Sequence, residues 1–374
     1  MKILHICSTY IDRPFYKVMF SSLTKLGFEN VVYVPRWSNK MGEDNVYIVS
    51  KRFSKFSKLL YWGEQRYILK DIESRINLKE IDCIHVHRIL YGGYAAIELY
   101  KKYSIPYIVA VRNSDIYGFG RNLSIFRKHS NEIMEHAQKV IFLSHAYKDK
   151  VLDEYVIKDK RESINKKAVV VTNGINQFFL DNRLKEGGRQ LSNNREINIV
   201  SVAEIDKNKN VLTLIKACEL LQSKAYEVKL RLLGRVVDKK VFRKVSSYDF
   251  VNYMGVKPKE VLIEILRMSD IFAMPSIHES FGLVYAEAMT QGLPVIYTRG
   301  QGFDGQFKEG EVGFSVDCFD AQEIADRILN VLSNYTDISN KCIANSQRYS
   351  WDIIAKEYKD IYDTCMLNTR YRSY

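Results

Sequence analysis

Two glutamates, Glu279 and Glu287, stand where the residue types and spacing of this chain best fit chemistry. They lie within Pro275-Ser276-Ile277-His278-Glu279-Ser280-Phe281-Gly282-Leu283-Val284-Tyr285-Ala286-Glu287-Ala288-Met289-Thr290-Gln291-Gly292-Leu293-Pro294-Val295-Ile296. The pattern predicts a strand ending at Pro275, a polar turn, a helix from Leu283 and a stop at Gly292, with Pro294 opening the next strand. A helix starting at Gly282–Val284 leaves its first N–H groups unpaired, and the small Gly282 allows close approach, so the turn suits a phosphate or diphosphate. Carboxylates bracketing such a site would not touch the anion. They suit hydroxyl groups on either side of it, those of a nucleotide ribose and of a sugar beyond the diphosphate. Periodicity alone leaves a plainer account open, in which Glu279 favours the helix dipole and Glu287 is an exposed helical carboxylate.

The elements that must hold this turn alternate along the chain. In the second half, strands are predicted at Ile197–Val202, Val228–Leu233, Phe250–Met254, Ile271–Pro275 and Pro294–Thr298, with helices at Val211–Leu221, Lys259–Arg267, Leu283–Thr290 and Ala321–Leu332. In the first half, β-branched runs at Lys2–Cys7, Val31–Pro35, Cys83–Arg88, Tyr107–Arg112, Lys139–Ser144 and Ala168–Thr172 alternate with helical spacing at Phe15–Leu26, Tyr91–Tyr103 and Asn131–Gln138. Continuous apolar strands separated by helices indicate parallel sheets covered on both faces. The stretch Leu180–Glu196 has no period and reads as a linker. The expected organisation is α/β: a doubly wound Rossmann-like domain over 1–178, a linker over 179–196, a second such domain over 197–346, and a final helical segment over 347–374. Two such domains would face each other across a cleft, where ligands meet strand carboxyl ends.

Composition narrows the function classes. A chain of 374 residues, 46% hydrophobic and 27% charged, is globular and long enough for two cores. Its six cysteines are scattered with no close pair, which argues against a disulfide scaffold or a CxxC metal site and favours a reducing, cytoplasmic compartment. No window approaches the roughly 18 apolar residues of a membrane span. Met1–Cys7 is followed at once by polar residues and reads as a first strand rather than a signal peptide. The net charge is +12, and residues 1–180 carry 29 Lys and Arg against 18 Asp and Glu, so nearly all of the excess lies in the first half. A basic face attracts nucleic acid, anionic lipid or a diphosphate substrate. Lys51–Trp62 interleaves four basic residues with apolar ones, the pattern of a helix resting at a membrane interface or of a core helix with a solvated face.

The Glu279 segment resembles the signature of retaining glycosyltransferases of family 4, which have the GT-B fold: a Glu, seven residues and a second Glu within Pro-Ser-x-x-Glu-x-Phe-Gly…Glu-Ala-Met-x-x-Gly-x-Pro-Val-Ile. The resemblance implies that Glu279 and the backbone of Ser280, Phe281 and Gly282 hold hydroxyls of the transferred sugar. It implies further that the amides of Leu283 and Val284 meet the diphosphate and that Glu287 meets the ribose.

Other segments resemble the same family. Ala203-Glu204-Ile205-Asp206-Lys207-Asn208-Lys209 is similar to the stretch that supplies an Arg and a Lys to the donor diphosphate; Lys209 matches the Lys, while Glu204 stands at the Arg position. Either Glu204 points away, or Lys207 or Arg235 replaces the lost charge. Leu230–Gly234 and Tyr253–Val256 resemble the strand ends flanking the nucleotide base, with Val256 and Lys257 expected at the base through their backbone. Tyr107–Ile116 resembles the strand ending in His-Gly-x-Asp: Asp115 matches, and Arg112 takes the place of the His that approaches the transferred sugar. Arg112 is expected to bind the sugar or a charged acceptor, with a salt bridge to Asp115 as the plainer reading. His85 and His87 alternate with apolar residues and read as core histidines. Asp12 and Arg13, in a first loop without the family's glycine pair, and His145 are acceptor-side candidates. Tyr349–Tyr358 resembles the terminal helix that crosses back to the first domain.

The implied reaction transfers a sugar from a nucleotide diphosphate donor to a hydroxyl of a glycan or lipid-linked acceptor, in polysaccharide or lipopolysaccharide assembly at the inner face of the plasma membrane. Glu279, Lys209 and Arg112 would be its catalytic groups. No Asp-x-Asp occurs, so no metal and no cofactor beyond the donor are expected. Two alternatives stay open: a basic nucleic-acid-binding protein, for which no known motif is present, and a donor-binding relative without transferase activity.

Overall fold

The structure is a computed structural model that describes residues 1–35, 47–49, 61–112, 115–116, 124–185, 187, 189–191 and 195–370. Chain contacts divide it into two compact units. The first comprises Met1–Leu143, Lys148–Thr172 and Trp351–Tyr374; the second comprises Ser144–Tyr147 and Asn173–Ser350.

The first unit is built on seven parallel strands: β1 (Lys2–Ile6), β2 (Glu29–Val34), β3 (Tyr47–Val49), β4 (Cys83–Val86), β5 (Tyr107–Ala110), β6 (Lys139–Phe142) and β7 (Ala168–Val170), in the order β3-β2-β1-β4-β5-β6-β7. The second unit has six parallel strands, β8 (Glu196–Val202), β9 (Glu227–Leu233), β10 (Val251–Gly255), β11 (Ile271–Met274), β12 (Val295–Thr298) and β13 (Gly313–Val316), in the order β10-β9-β8-β11-β12-β13. Each sheet is doubly wound. The direction of winding reverses between β1 and β4 in one and between β8 and β11 in the other, and it is at such reversals that loops splay apart and leave room for a ligand.

The strands are apolar on both faces because helices cover both. In the first unit Ile3, Met19, Phe20 and Leu23 pack with Trp351, Ile354 and Tyr358 of the helix Trp351–Arg370. Trp351 stacks on Phe15 at 5.9 Å with the rings 8° from parallel. In the second unit Leu214 and Ile215 from one helix and Ile324 and Ile328 from another meet Ile197, Leu230 and Ile271 of the sheet.

The described elements extend the sequence reading in several places. The helix expected at Asn131–Gln138 begins at Ser124, and a helix at Tyr61–Arg75 and the strands β3 and β13 have no counterpart in the sequence reading. Of the amphipathic stretch Lys51–Trp62, residues 51–60 lie outside the described residues. The expected linker, 179–196, falls wholly within the span of the second unit; the chain passes between units at Leu143–Ser144, Tyr147–Lys148, Thr172–Asn173 and Ser350–Trp351. Within that stretch the Arg189 guanidinium donates to the carbonyls of Leu266, Arg267 and Ser269 of the second unit. All six cysteines are buried and none is in a disulfide.

Candidate active site

The loops after β8 and β11, at the winding reversal of the second unit, carry Lys209 and Glu279. Lys209 Nζ lies 2.7 Å from Glu279 Oε2, with both side chains mostly covered. The pair is set from both sides. Asp206 Oδ1 accepts from the Lys209 amide at 2.8 Å. Asn208 accepts from the Ile277 amide through its carbonyl (2.7 Å), accepts from the His278 amide through Oδ1 (3.0 Å) and donates through Nδ2 to the His278 carbonyl (3.0 Å). Asn210 holds the left-handed backbone (φ 54°) and spans the loop, donating to the carbonyls of Pro275 and Cys318.

Glu279 is clamped by a second loop. Its amide donates to Gln301 Oε1 at 3.0 Å, and its carbonyl accepts from the Gly302 amide at 2.8 Å. A Cβ on Gly302 would stand 2.1 Å from the Ser280 backbone, so only glycine permits this approach. Glu279 Oε1 accepts from the Ser280 amide at 3.1 Å, and the Ser280 carbonyl accepts from Ser144 Oγ at 3.3 Å. Phe281 turns its ring into the core against Tyr349 and Phe303. Gly282 then caps the helix Leu283–Thr290 at φ 79°, where a Cβ would meet the Tyr285 ring at 2.6 Å. Leu283 and Val284 thus begin the helix as the sequence requires, with their amides at its open end.

Glu287, one turn further on, is half-buried, and among the described residues nothing donates a hydrogen bond to its carboxylate. Burial pushes that carboxyl up to about 7. On the base side, the Gly234 amide donates to the Gly255 carbonyl (2.9 Å) and Tyr253 OH to the Gly234 carbonyl (2.8 Å), so the loops after β9 and β10 are joined; Val256 and Lys257 follow them, exposed. Arg235 pairs with Glu204, Nη2 to Oε1 2.6 Å. The carboxylate that replaces the expected Arg is therefore neutralised by the Arg of the adjacent strand end.

The remaining candidates fall in two places. His145 is exposed and clusters with the second unit beside Gly305, next to the Ser144 that holds Ser280. Arg112 and Asp115 belong to the first unit, at the carboxyl end of β5. Asp115 does not pair with the Arg112 side chain: its Oδ2 accepts the backbone amides of Arg112 (3.0 Å) and Ile89 (3.3 Å), and its Oδ1 stands 3.9 Å from Arg88 Nε. Asp12 and Arg13 lie exposed on a turn closed by their amides donating to the Thr9 carbonyl. Gln301, Gly302, Asn208 and Ser144 escaped the sequence reading; nothing local marks them, since each acts on a residue far away in the chain.

Among the described residues, His5, His85 and His87 form the one cluster close enough to suggest a metal. The rings of His85 and His87 are stacked, centroids 3.9 Å apart and 25° from parallel. Lone pairs in nearly parallel planes cannot converge on one ion at the ~2.0–2.1 Å of a histidine–metal bond. His5 Nδ1 instead bonds His87 Nε2 at 3.1 Å, His5 Nε2 bonds Asn30 at 2.8 Å, and His85 Nδ1 bonds Tyr362 OH at 2.7 Å. These are core histidines.

Comparison with known proteins bears on this geometry. Residues 183–349 match "Glycosyl transferases group 1" and residues 19–177 match "Glycosyltransferase Family 4". The chain belongs to glycosyltransferase family 4. Among its relatives, the D-inositol 3-phosphate glycosyltransferase of Corynebacterium urealyticum is 36% identical over 115 residues, 30% of this chain and 27% of that protein. The capsular polysaccharide biosynthesis glycosyltransferase CapM of Staphylococcus aureus is 28% identical over 246 residues, 61% of this chain and 62% of CapM. The matches thus span from about a quarter to under two thirds of these relatives. Of solved structures, sucrose-phosphate synthase from Thermosynechococcus elongatus superposes with a TM-score of 0.73 at 16% identity, covering 98% of this chain and 100% of its own. Anabaena HepE in complex with UDP and glucose gives 0.67 at 15% identity, covering 97% and 100%. The fold is GT-B, two Rossmann-like α/β domains, and the family is one of glycosyltransferases.

Proposed function

We propose that this chain is a retaining glycosyltransferase that moves a sugar from a nucleotide diphosphate donor to a hydroxyl of a glycan or lipid-linked acceptor. The observation that carries the reading is the Lys209–Glu279 pair, fixed at 2.7 Å beside the open end of the helix Leu283–Thr290. The likeness to HepE, whose structure holds UDP and glucose, supports a nucleotide sugar as donor.

Lys209 and the first amides of that helix stabilise charge on the departing diphosphate, which is electrostatic catalysis aimed at the leaving group. Protein donors can carry that load without a metal ion. Glu279 accepts from hydroxyls of the sugar, and Glu287, whose carboxylate receives no hydrogen bond among the described residues, accepts from the ribose. Arg235 adds positive charge on the nucleotide side. Asp12, Arg13, Asp115 and His145 remain acceptor-side groups.

The setting is assembly of a cell-surface polysaccharide, a reading supported by the similarity to CapM, with lipopolysaccharide as a further acceptor class. The basic first half suits a cytoplasmic enzyme held at the anionic inner face of the plasma membrane; among the described residues no helix is long and apolar enough to cross one. A panel of nucleotide sugars scored by thermal shift, followed by release of nucleoside diphosphate with candidate acceptors, tests the reading, since a ligand of the native state raises its melting temperature. Full transferase activity in both Glu279→Ala and Glu287→Ala would overturn it.

A further inference from the structure

Arg112 presents an unsolved electrostatic problem inside the first unit. It lies two residues beyond β5, is 9% exposed, and has both Nη1 and Nη2 buried with no hydrogen-bond partner. Its Nε reaches only the His87 carbonyl, at 3.4 Å. Asp115 lies within electrostatic reach of the guanidinium but makes no hydrogen bond to it, because that carboxylate serves two backbone amides and stands nearest Arg88. Ser8 Oγ, two residues beyond β1 at the same end of the sheet, is buried with no partner, and the hydroxyl of Tyr358, which lies against the guanidinium, meets no other group.

Two guanidinium nitrogens and two hydroxyls here can donate, while the orphan carboxylate oxygen close by, Asp115 Oδ1, stands nearest Arg88. A buried cation with no anion bonded to it carries a large desolvation penalty. Water would satisfy the hydroxyls but leave the charge. What the fork lacks is an anion bonded to it, and the planar guanidinium matches a carboxylate or phosphate with two parallel bonds.

We propose that the first unit binds an oxyanion on Arg112, with Ser8 and Tyr358 as accessory donors, and that the anion is a carboxylate or phosphate group carried by a substrate. The orphan atoms have no exposed surface, so entry requires the covering side chains to turn aside. The site stands on the first unit's own geometry; only its assignment to a substrate rests on the transferase reading. Chemically, the anion comes from one of two sources, an acidic sugar on the donor or a phosphate on the acceptor.

The test uses the full chain and its melting temperature, with inorganic phosphate and acetate as probes, in the parent protein, Arg112→Met and Lys209→Gln. The expected result is a probe-dependent rise in the parent and in Lys209→Gln that disappears in Arg112→Met. Probe-free Arg112→Met should melt no lower than the parent, because it sheds a buried charge that no hydrogen-bonded anion balances; a merely structural arginine predicts a lower melting point with the probe response intact, and that result would overturn the proposal. Should Arg112→Met fail to fold, Arg112→Lys replaces it: it keeps the charge but loses the fork, and a probe affinity unchanged from the parent overturns the proposal. Two ligand pairs separate the sources, UDP-glucuronate against UDP-glucose and glucose 6-phosphate against glucose. In the correct pair the anionic member alone loses about tenfold in affinity on Arg112→Met. If UDP-glucose binds but neither pair discriminates, this inference fails and the transferase reading stands; an Arg112-dependent probe response with no nucleotide sugar bound does the reverse.

Discussion

Arg235 and Glu204 meet at 2.6 Å because the strands that precede them run in register: Val202 at the end of β8 pairs with Leu233 at the end of β9, and each charged residue follows two positions on. Both side chains are exposed, and an exposed pair contributes only about 0–1 kcal/mol to stability. Its use is therefore electrostatic rather than structural. Arg235→Ala should leave unfolding free energy within about 1 kcal/mol of the parent yet weaken nucleoside diphosphate binding about tenfold by calorimetry. Glu204→Gln should tighten it. Unchanged affinity in Arg235→Ala would remove Arg235 from the donor site.

Lys209→Ala should retain the fold and lower turnover by about two to three orders of magnitude, the range seen when a donor to a developing negative charge is lost. Asn208→Ala, which cuts two of the three bonds Asn208 makes to Ile277 and His278, should lower turnover less, by about tenfold, with donor affinity changed little. Circular dichroism and steady-state kinetics on the same preparations distinguish these outcomes from unfolding.

The Glu287 carboxyl, raised by burial to about 7, ties nucleotide affinity to pH. In the proposed role its ionised form accepts from ribose hydroxyls, so affinity should climb as pH rises through 7 and level off above it. The limit is about tenfold per pH unit, one proton's worth. The same shift makes the empty protein pay a penalty that grows as pH rises from the ordinary carboxylate value towards 7. Glu287→Gln should thus flatten the affinity profile while stabilising the unliganded protein at pH 8.

Burial also depresses the three histidines of the first unit, His5 to about 4 and His85 and His87 well below the ordinary value. Unfolded, they titrate near 6.5 and bind protons that the fold refuses. Their contribution to stability is complete above that pH and drains away as pH falls from 6.5 towards 4. With up to three protons involved, the slope reaches roughly 4 kcal/mol per pH unit. Urea midpoints should be level from pH 7 to 8 and fall steeply below 6.5, and His87→Leu should reduce the slope.

Gly302→Ala places a methyl 2.1 Å from the Ser280 backbone. The Glu279 loop must shift, with a loss of stability of about 1–3 kcal/mol and of most activity, whereas Gly63→Ala, whose methyl would meet nothing within 4 Å, should have neither effect.

What the sequence disclosed, and what it withheld, follows the range of the forces involved. The Glu279–Glu287 turn was legible because its parts are local: a strand end, a glycine at positive φ and a helix start within a few residues. Asn210 was less so; a non-glycine in the left-handed region is held there by carbonyls at Pro275 and Cys318 that no window around it contains. Arg235 was read as one possible replacement for the missing Arg charge, but its pairing with Glu204 was not, since the register of β8 against β9 brings the two together. The Arg112–Asp115 salt bridge, the plainer of the two readings of Arg112, did not form: backbone amides occupy the carboxylate. The strand β13, four residues bounded by Gly313, is too short to show a period. The histidines at 85 and 87 were read as core from alternation alone, but their partners His5 and Tyr362 come from opposite ends of the chain.

That last contact has a consequence for synthesis. Because Trp351–Arg370 completes the first unit, the second unit is inserted within it in chain order. On the ribosome, the second unit can close while the first still waits, its histidine-bearing sheet face uncovered, until Tyr358 and Tyr362 emerge. The half that is made first is finished last, and a nascent chain halted before Trp351 would carry a complete second unit and an open, hydrophobic first one.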